Sequence, residues 1–376
     1  MDASASDAAA SETIASDNIG SNPTTSGVPV SNALRRSSTQ WWLVGVKCVI
    51  LVAILTWVGS NFNRADWDAL VQADKHWSLL GLAFVLVLAG HIVSFSRWFF
   101  FVRTLCGPSA FGLWEAIRLG FLGNLFNFVS LGAVGGDLFK AVAASRQTPG
   151  KRTEVAASVL VDRAIGLLGL LIVAVIGLQT HWESLSPNLK YILFGAWILS
   201  GVGLIGLAVI TALGDRLLPA WVNRLPIIGK TIHRSATAGL LFHKKPALVV
   251  MLVMMSCLVH TFLTLGMYCV SRSLYFESSP NLGQHFMVVP PAFAAAALPL
   301  TPGGIGVQEV AVAKLFQELP GQYSPFSGLL VATLYRVLLI FVAAIGGVLY
   351  MVQSKKPNSA YLVPEGSSHV VDSRKG

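Results

Sequence analysis

Leu298-Pro-Leu-Thr-Pro-Gly-Gly-Ile-Gly-Val-Gln-Glu309 interrupts an apolar run that extends from Met287 to Leu319. Across the run stand Pro290, Pro291, Pro299, Pro302, Gly303, Gly304 and Gly306. Residues of these two types at this density predict a broken helix, because proline lacks the helical N–H and glycine is costly to restrict. A second run, Leu113–Ala141, is interrupted in the same way. It carries Gly120, Gly123, Asn124, Asn127, Gly132, Gly135, Gly136 and Asp137. Irregular backbone at membrane depth needs partners from protein or water, so both breaks point to a polar site inside an apolar protein.

Working outward, six uninterrupted runs of about 20 residues are each long enough to cross a bilayer. They are Trp41–Ser60, Leu79–Val102, Val155–Leu178, Leu189–Leu213, Ala247–Val270 and Phe326–Val352. The 376 residues are 54% hydrophobic and 12% charged. Soluble domains carry about 25% charged residues. With a mean hydropathy of +0.64, the composition specifies an all-α polytopic membrane protein and argues against a soluble nucleic-acid-binding domain despite the net charge of +9. Residues 1–40 are rich in Ser, Ala and Thr, with no aromatic residue, and read as a disordered tail without a signal peptide. The membrane domain spans 41–352, with halves at 41–178 and 189–352, and 353–376 is a polar tail.

Basic residues fix the expected orientation. Arg35 and Arg36, then Lys140, Arg146, Lys151 and Arg152, then Arg216, Arg224, Lys230, Arg234, Lys244 and Lys245, and finally Lys355, Lys356, Arg374 and Lys375 cluster on one side. The other side holds Arg64, Lys75, Lys190 and Arg272. The positive-inside rule places both termini in the cytoplasm. Each broken segment must then enter and leave on one side, as a re-entrant hairpin. Each half reads span, span, hairpin, span, in opposite orientation, the inverted-repeat pattern of many transporters. Counting the broken segments as full spans gives eight, but moves the basic loop Arg216–Lys245 outside.

The first candidate site is Leu131-Gly-Ala-Val-Gly-Gly-Asp137 with Lys140. Backbone N–H groups at Gly135 and Gly136 could hold an anion such as a phosphate, while Asp137 could simply cap the following helix. In the second, Thr301, Pro302, Gly303 and Gly304 form the break, with Gln308 and Glu309 in the next helical turn. A carboxylate in apolar surroundings is a functional candidate unless a helix N-terminus alone accounts for it. Arg163, next to Asp162, and Arg336 lie inside spans that follow the two breaks. They suit a headgroup, with snorkelling or structural ion pairs as the alternative. Asp137 is the expected partner of Arg163, and Glu309 of Arg336. Asn124 and Asn127 could bind a ligand or join helices.

Several enzyme-like patterns fail. Gly229-Lys230-Thr231 resembles the end of a P-loop, but Arg224 occupies its leading glycine. Gly303-Gly-Ile-Gly306 lies in no βαβ unit. Cys48, Cys106, Cys257 and Cys269 form no CxxC pair, and no His or Cys spacing suggests a metal. No cofactor, metal or catalytic activity is expected.

GNLFNF at 123–128, GGDLFKA at 135–141, ASVLVDRAIGL at 157–167 and LPLTPGGIGVQE at 298–309 together resemble the lysylphosphatidylglycerol synthase transmembrane region, a flippase-like family. The resemblance runs from about Trp41 to Val352. It implies a bacterial or archaeal inner-membrane protein, and its best-understood members move aminoacylated phospholipid between leaflets. Gly136, Asp137, Asp162, Arg163, Pro302, Gly303, Gly304 and Glu309 match its motifs. Lys140 stands where the family pattern leads one to expect Arg. Val129-Ser130-Leu131 replaces its usual proline. The family's soluble aminoacyl-transfer domain has no counterpart in these residues.

The expected function is therefore a lipid flippase or transporter for a phospholipid or lipid-linked substrate. Alternatives are a membrane component of a lipid-carrier glycosyltransferase pathway, such as one using a polyprenyl-linked substrate, and an ion-coupled small-solute transporter. Expected partners are the lipid substrate, anionic lipid at the cytoplasmic loops, and a second copy of the chain or a partner transferase. No nucleic acid is expected.

Overall fold

The structure, a computed structural model, describes residues 76–108, 110–129, 135–179, 245–297, 301–319 and 326–354, with isolated positions from 56 to 71 and from 187 to 209. The tails expected at 1–40 and 353–376 lie almost wholly outside the described residues. So do the span expected at 41–60, most of that at 189–213, and the basic stretch 217–244.

Every regular element among the described residues is helical. In chain order they are α1 (Trp77–Cys106), α2 (Leu113–Val129), α3 (Gly135–Gln147), α4 (Arg152–Gln179), α5 (Pro246–Leu274) and α6 (Leu282–Ala296). A 3-10 turn at Pro302–Gly304 precedes α7 (Val307–Gln317) and α8 (Gly328–Ser354). Helices α1, α4, α5 and α8 are long and apolar enough to cross a membrane. They correspond to four of the expected spans. Each runs past its apolar run at one or both ends, because backbone hydrogen bonding continues through flanking polar turns such as Arg152–Glu154.

Exposed apolar residues recur at helical spacing: Val250, Met254 and Leu258 on α5, and Val337, Phe341 and Val348 on α8. In water such stripes would be a liability; in lipid they are the natural outer face. Lipid tails are as apolar as leucine, so helix association rests on close packing and polar contacts. Small residues supply the close packing. Helices α1 and α5 run antiparallel, with His76 N donating to Ser273 O at 3.3 Å. Along their contact, Gly90 faces Val259 and Leu263, and Gly266 faces Ala83 and Val87.

Helices α2 and α3 fold back on one another. Phe126 stacks on Phe139 with ring centroids 4.4 Å apart, and Gly123 lies against Gly136 and Lys140. At the open end Gln147 donates to Glu115. Lys151 donates to the Cys106 carbonyl, bringing the end of α1 and the start of α4 to the same mouth. Helices α6 and α7 form the second hairpin. His285 meets Phe316 at its mouth with centroids 5.0 Å apart, and Gly304 lies against Ala296 at its tip. Phe326, just before α8, packs on Phe316 and on Tyr275 at the end of α5. That is the end where α1 begins. The two mouths thus lie at opposite ends of α1, a helix about 45 Å long.

Two sequence expectations need correction. Gly120 and Gly123 do not break α2, and Pro290 and Pro291 do not break α6. The glycines admit neighbours instead: a Cβ at Gly120 would lie 2.3 Å from the Phe95 ring. Pro290 leaves the Phe286 carbonyl without its usual donor four residues on. Gly177 of α4 approaches that carbonyl so closely that a Cβ there would lie 2.2 Å from it. Gly346 of α8 approaches the Phe121 carbonyl of α2 in the same manner, at 2.3 Å. Helix α4 therefore packs on α6 as α8 packs on α2.

Candidate functional site

Glu309 is the third residue of α7 and is buried. Its Oε2 accepts from the Gly306 N–H at 2.6 Å, satisfying one of the helix's free donors. Its Oε1 accepts from Arg336 Nε at 2.6 Å. The same guanidinium donates to the Gly303 carbonyl at 2.9 Å, the Gly304 carbonyl at 3.1 Å and Gln308 Oε1 at 3.0 Å. Those carbonyls are free because the chain turns there with positive φ, 58° at Gly303 and 68° at Gly304. Glycine alone adopts that conformation at little cost. Arg336 thus holds the hairpin tip in place. Thr301, whose hydroxyl donates to the Ile305 carbonyl at 2.9 Å, holds the same turn.

Asp137 is the third residue of α3. It does not cap the helix. The helix begins earlier, and Asn127 Oδ1 accepts from the Gly136 N–H at 2.9 Å in the capping role. The Asp137 carboxylate is consequently free to bind Arg163 Nε, and Lys140 Nζ at 3.1 Å. Lys140 also lies over the Trp98 ring, 5.3 Å from its centroid. Two cations share one carboxylate here. Arg163 has a 43% exposed side chain, against 9% for Arg336.

Asp162 turns away from Arg163, as their neighbouring positions on a helix require. It pairs with Arg97 of α1, whose Nε donates to Oδ1 at 2.8 Å and whose terminal nitrogen donates to the Asp162 carbonyl at 3.3 Å. Arg97 was not among the residues singled out from sequence. It lies inside the apolar run Leu79–Val102, and the rule that flagged Arg163 and Arg336 applies to it equally.

A cavity of about 610 Å³ is lined by residues of both hairpins and of α1, α4, α5 and α8. Of the sequence-derived candidates, Asn124, Asn127, Arg163, Gly303, Gln308 and Arg336 line it. Gly136, Asp137, Gly304 and Glu309 are hydrogen-bonded to those residues, Lys140 and Thr301 hold Asp137 and the Gly303–Gly304 turn, and Gly135 and Asp162 are not among the described lining residues. Pro302 belongs to the turn, and its side chain lies outside the described residues. His91, His260 and Tyr335 also line the cavity and were not anticipated. Each sits in an apolar helix where hydropathy alone gives it no distinction. Leu160, Arg163, Ala164, Leu167 and Leu170 present one stripe of α4 to the cavity, and Leu160 and Leu167 are also exposed outward. Among the described residues, no group of His, Cys, Asp or Glu is arranged to hold a metal ion.

The motifs that build this site fall within residues 43–347, which match the family model described as the lysylphosphatidylglycerol synthase TM region. The chain belongs to that family. Membership of the lysylphosphatidylglycerol synthase transmembrane-region family makes it an integral membrane protein with a link to lipid metabolism or flipping. The match takes in both hairpins and all but the last turns of α8. No curated protein and no solved structure matches the chain.

Proposed function

We propose that this protein moves a phospholipid or lipid-linked substrate between the leaflets of a bacterial inner membrane, as a transporter rather than an enzyme. One observation carries the reading: a cavity with a half-exposed arginine is lined by both hairpins, whose mouths lie at opposite ends of α1. The headgroup would occupy the cavity beside Arg163. Acyl chains would leave along the exposed Leu160–Leu167 face of α4 and remain in lipid. Such a division removes the largest barrier to lipid flipping, which is taking a charged headgroup through hydrocarbon.

The proposed topology is six spans plus two re-entrant hairpins, with both termini cytoplasmic, built as an inverted repeat. Three relations support it. The acidic residue occupies the third position of α3 and of α7. Its arginine partner follows 26 residues later in one half and 27 in the other. Helices α4 and α6 pack with the same glycine-to-carbonyl approach as α8 and α2. Exchange between halves related in this way is the usual basis of alternating access.

The test is reconstitution into phosphatidylcholine vesicles doped with acyl-chain-labelled anionic lipid, followed by dithionite quenching of the outer leaflet. Loss of the protected inner-leaflet signal, dependent on Arg163, is the expected result. An unchanged signal across anionic, zwitterionic and polyprenyl-phosphate lipids would defeat the proposal.

A further inference from the structure

Five helices each place a neutral polar side chain in the wall of the cavity: His91 of α1, Asn124 of α2, His260 of α5, Gln308 of α7 and Tyr335 of α8. Phe293 of α6 adds an aromatic ring to the same wall. Three of these side chains carry a buried polar atom with no hydrogen-bond partner among the described residues: Gln308 Nε2, Tyr335 Oη and His260 Nδ1.

The role of each atom follows from its neighbours. Arg336 only donates and takes Gln308 Oε1 at 3.0 Å, which leaves Nε2 as a donor. His260 Nε2 lies 3.0 Å from the Gly166 carbonyl, which only accepts, so in the neutral ring Nδ1 is an acceptor. His91 Nδ1 lies 2.8 Å from the Val87 carbonyl, and by the same logic its Nε2 is an acceptor too. The Tyr335 hydroxyl can be either. Tyr335 is fully buried and stacked on Phe293 with ring centroids 5.9 Å apart. A phenylalanine ring would serve that stacking, and the added hydroxyl is a cost until something bonds to it.

Buried polar atoms left without partners are rare and expensive, so three around one cavity mark a place where a ligand supplies the partners. The set contains donors and acceptors together. An ammonium group only donates and would leave Gln308 Nε2 unmatched. A phosphate oxygen only accepts and would leave His260 Nδ1 unmatched. A hydroxyl does both, and a ring of hydroxyls reaches several helices at once. The apolar C–H face of such a ring suits the Phe293 side chain.

We infer that the cavity binds the sugar or cyclic polyol part of a lipid-linked substrate, its hydroxyls on Gln308, Tyr335 and His260 and its C–H face on Phe293. The inference rests on the transport reading above for the lipid and names the substrate class. It sets no condition on the net charge of the headgroup.

The experiment uses the full chain in phosphatidylcholine vesicles doped with acyl-chain-labelled phosphatidylinositol or phosphatidylmethanol, followed by dithionite quenching. The two phosphodiesters carry the same charge, and only the first brings a ring of hydroxyls. Phosphatidylinositol should move about tenfold faster despite its larger headgroup, the factor that corresponds to one well-satisfied polar group. Tyr335→Phe should cut that advantage severalfold without lowering the melting temperature, because it removes only a hydroxyl that bonds to no described residue. A structural role for the hydroxyl would instead lower the melting temperature and slow both lipids alike, which would overturn the inference.

Phosphatidylinositol moving no faster than phosphatidylmethanol in the unaltered protein also overturns it while leaving lipid transport standing. If neither lipid moves, titration calorimetry with inositol 1-phosphate and methyl phosphate separates the two readings. Tighter binding of inositol 1-phosphate supports the hydroxyl site, removes the lipid as its source and defeats the transport reading. Equal binding, or none, overturns both.

Discussion

The guanidinium of Arg336 reaches Glu309, Gln308 and two backbone carbonyls and its side chain is 9% exposed, whereas the side chain of Arg163, which shares Asp137 with Lys140, is 43% exposed. Removing one member of a buried pair costs about 3–5 kcal/mol, and removing an exposed one costs about 0–1 kcal/mol. Arg336→Ala should therefore lower the melting temperature sharply in detergent, as read by scanning fluorimetry. Arg163→Ala should melt within a few degrees of the parent, yet slow lipid movement by about tenfold or more. Equal melting shifts for the two would contradict this division of roles. Arg97 belongs with Arg336. Arg97→Met leaves Asp162 buried without its cation and should destabilise by a similar amount, and adding Asp162→Leu should recover much of the loss. A double variant no more stable than the single one would mean that Asp162 has another partner.

At the level of elements, glycine determines how closely helices approach. A Cβ at Gly136 would lie 2.0 Å from the Gly123 carbonyl, and one at Gly346 would lie 2.3 Å from the Phe121 carbonyl. Both neighbours are backbone and yield poorly. Gly136→Ala and Gly346→Ala should each cost about 1–3 kcal/mol as overpacking. Gly81→Ala, with nothing within 4 Å, should stabilise slightly through helix propensity. Urea unfolding in mild detergent ranks the three; a Gly81 variant as unstable as the others would refute the packing argument. The hairpins make their own prediction. In a background lacking the native cysteines, single cysteines replacing Trp114 and Arg146 should react with an impermeant maleimide from one side of the membrane. Cysteines replacing Leu282 and Glu318 should react from the other. Reaction of either pair from both sides would turn that hairpin into two spans.

For the whole molecule, the proposed repeat and the charge distribution make one joint prediction. Reporter fusions at both ends of the chain should read as cytoplasmic, and neutralising the basic residues in 216–245 should weaken that orientation. A periplasmic reading at either terminus would break the scheme of paired, opposed halves. It would also place the Lys151 mouth on the outside, away from the anionic leaflet that its basic residues suit.

Much of this protein was legible from sequence because its solvent is simple. Hydrocarbon demands long apolar helices and punishes every stray charge, so the expected spans at 79–102, 155–178, 247–270 and 326–352 all stand within or close to observed helices. The pairings of Asp137 with Arg163 and of Glu309 with Arg336 also followed, since a buried charge needs a partner and few were on offer. Tertiary structure decided the rest. Whether Pro290 breaks a helix depends on what stands beside the Phe286 carbonyl, and that is Gly177, more than a hundred residues distant in the chain. Asp137 gave up its capping role because Asn127 of another helix took it. Arg97 met Asp162, and Gln308, Tyr335 and His260 came to share one cavity, through contacts between helices distant in the chain. Local sequence fixes which groups must find partners in lipid; only the packing of distant helices determines which partners they find.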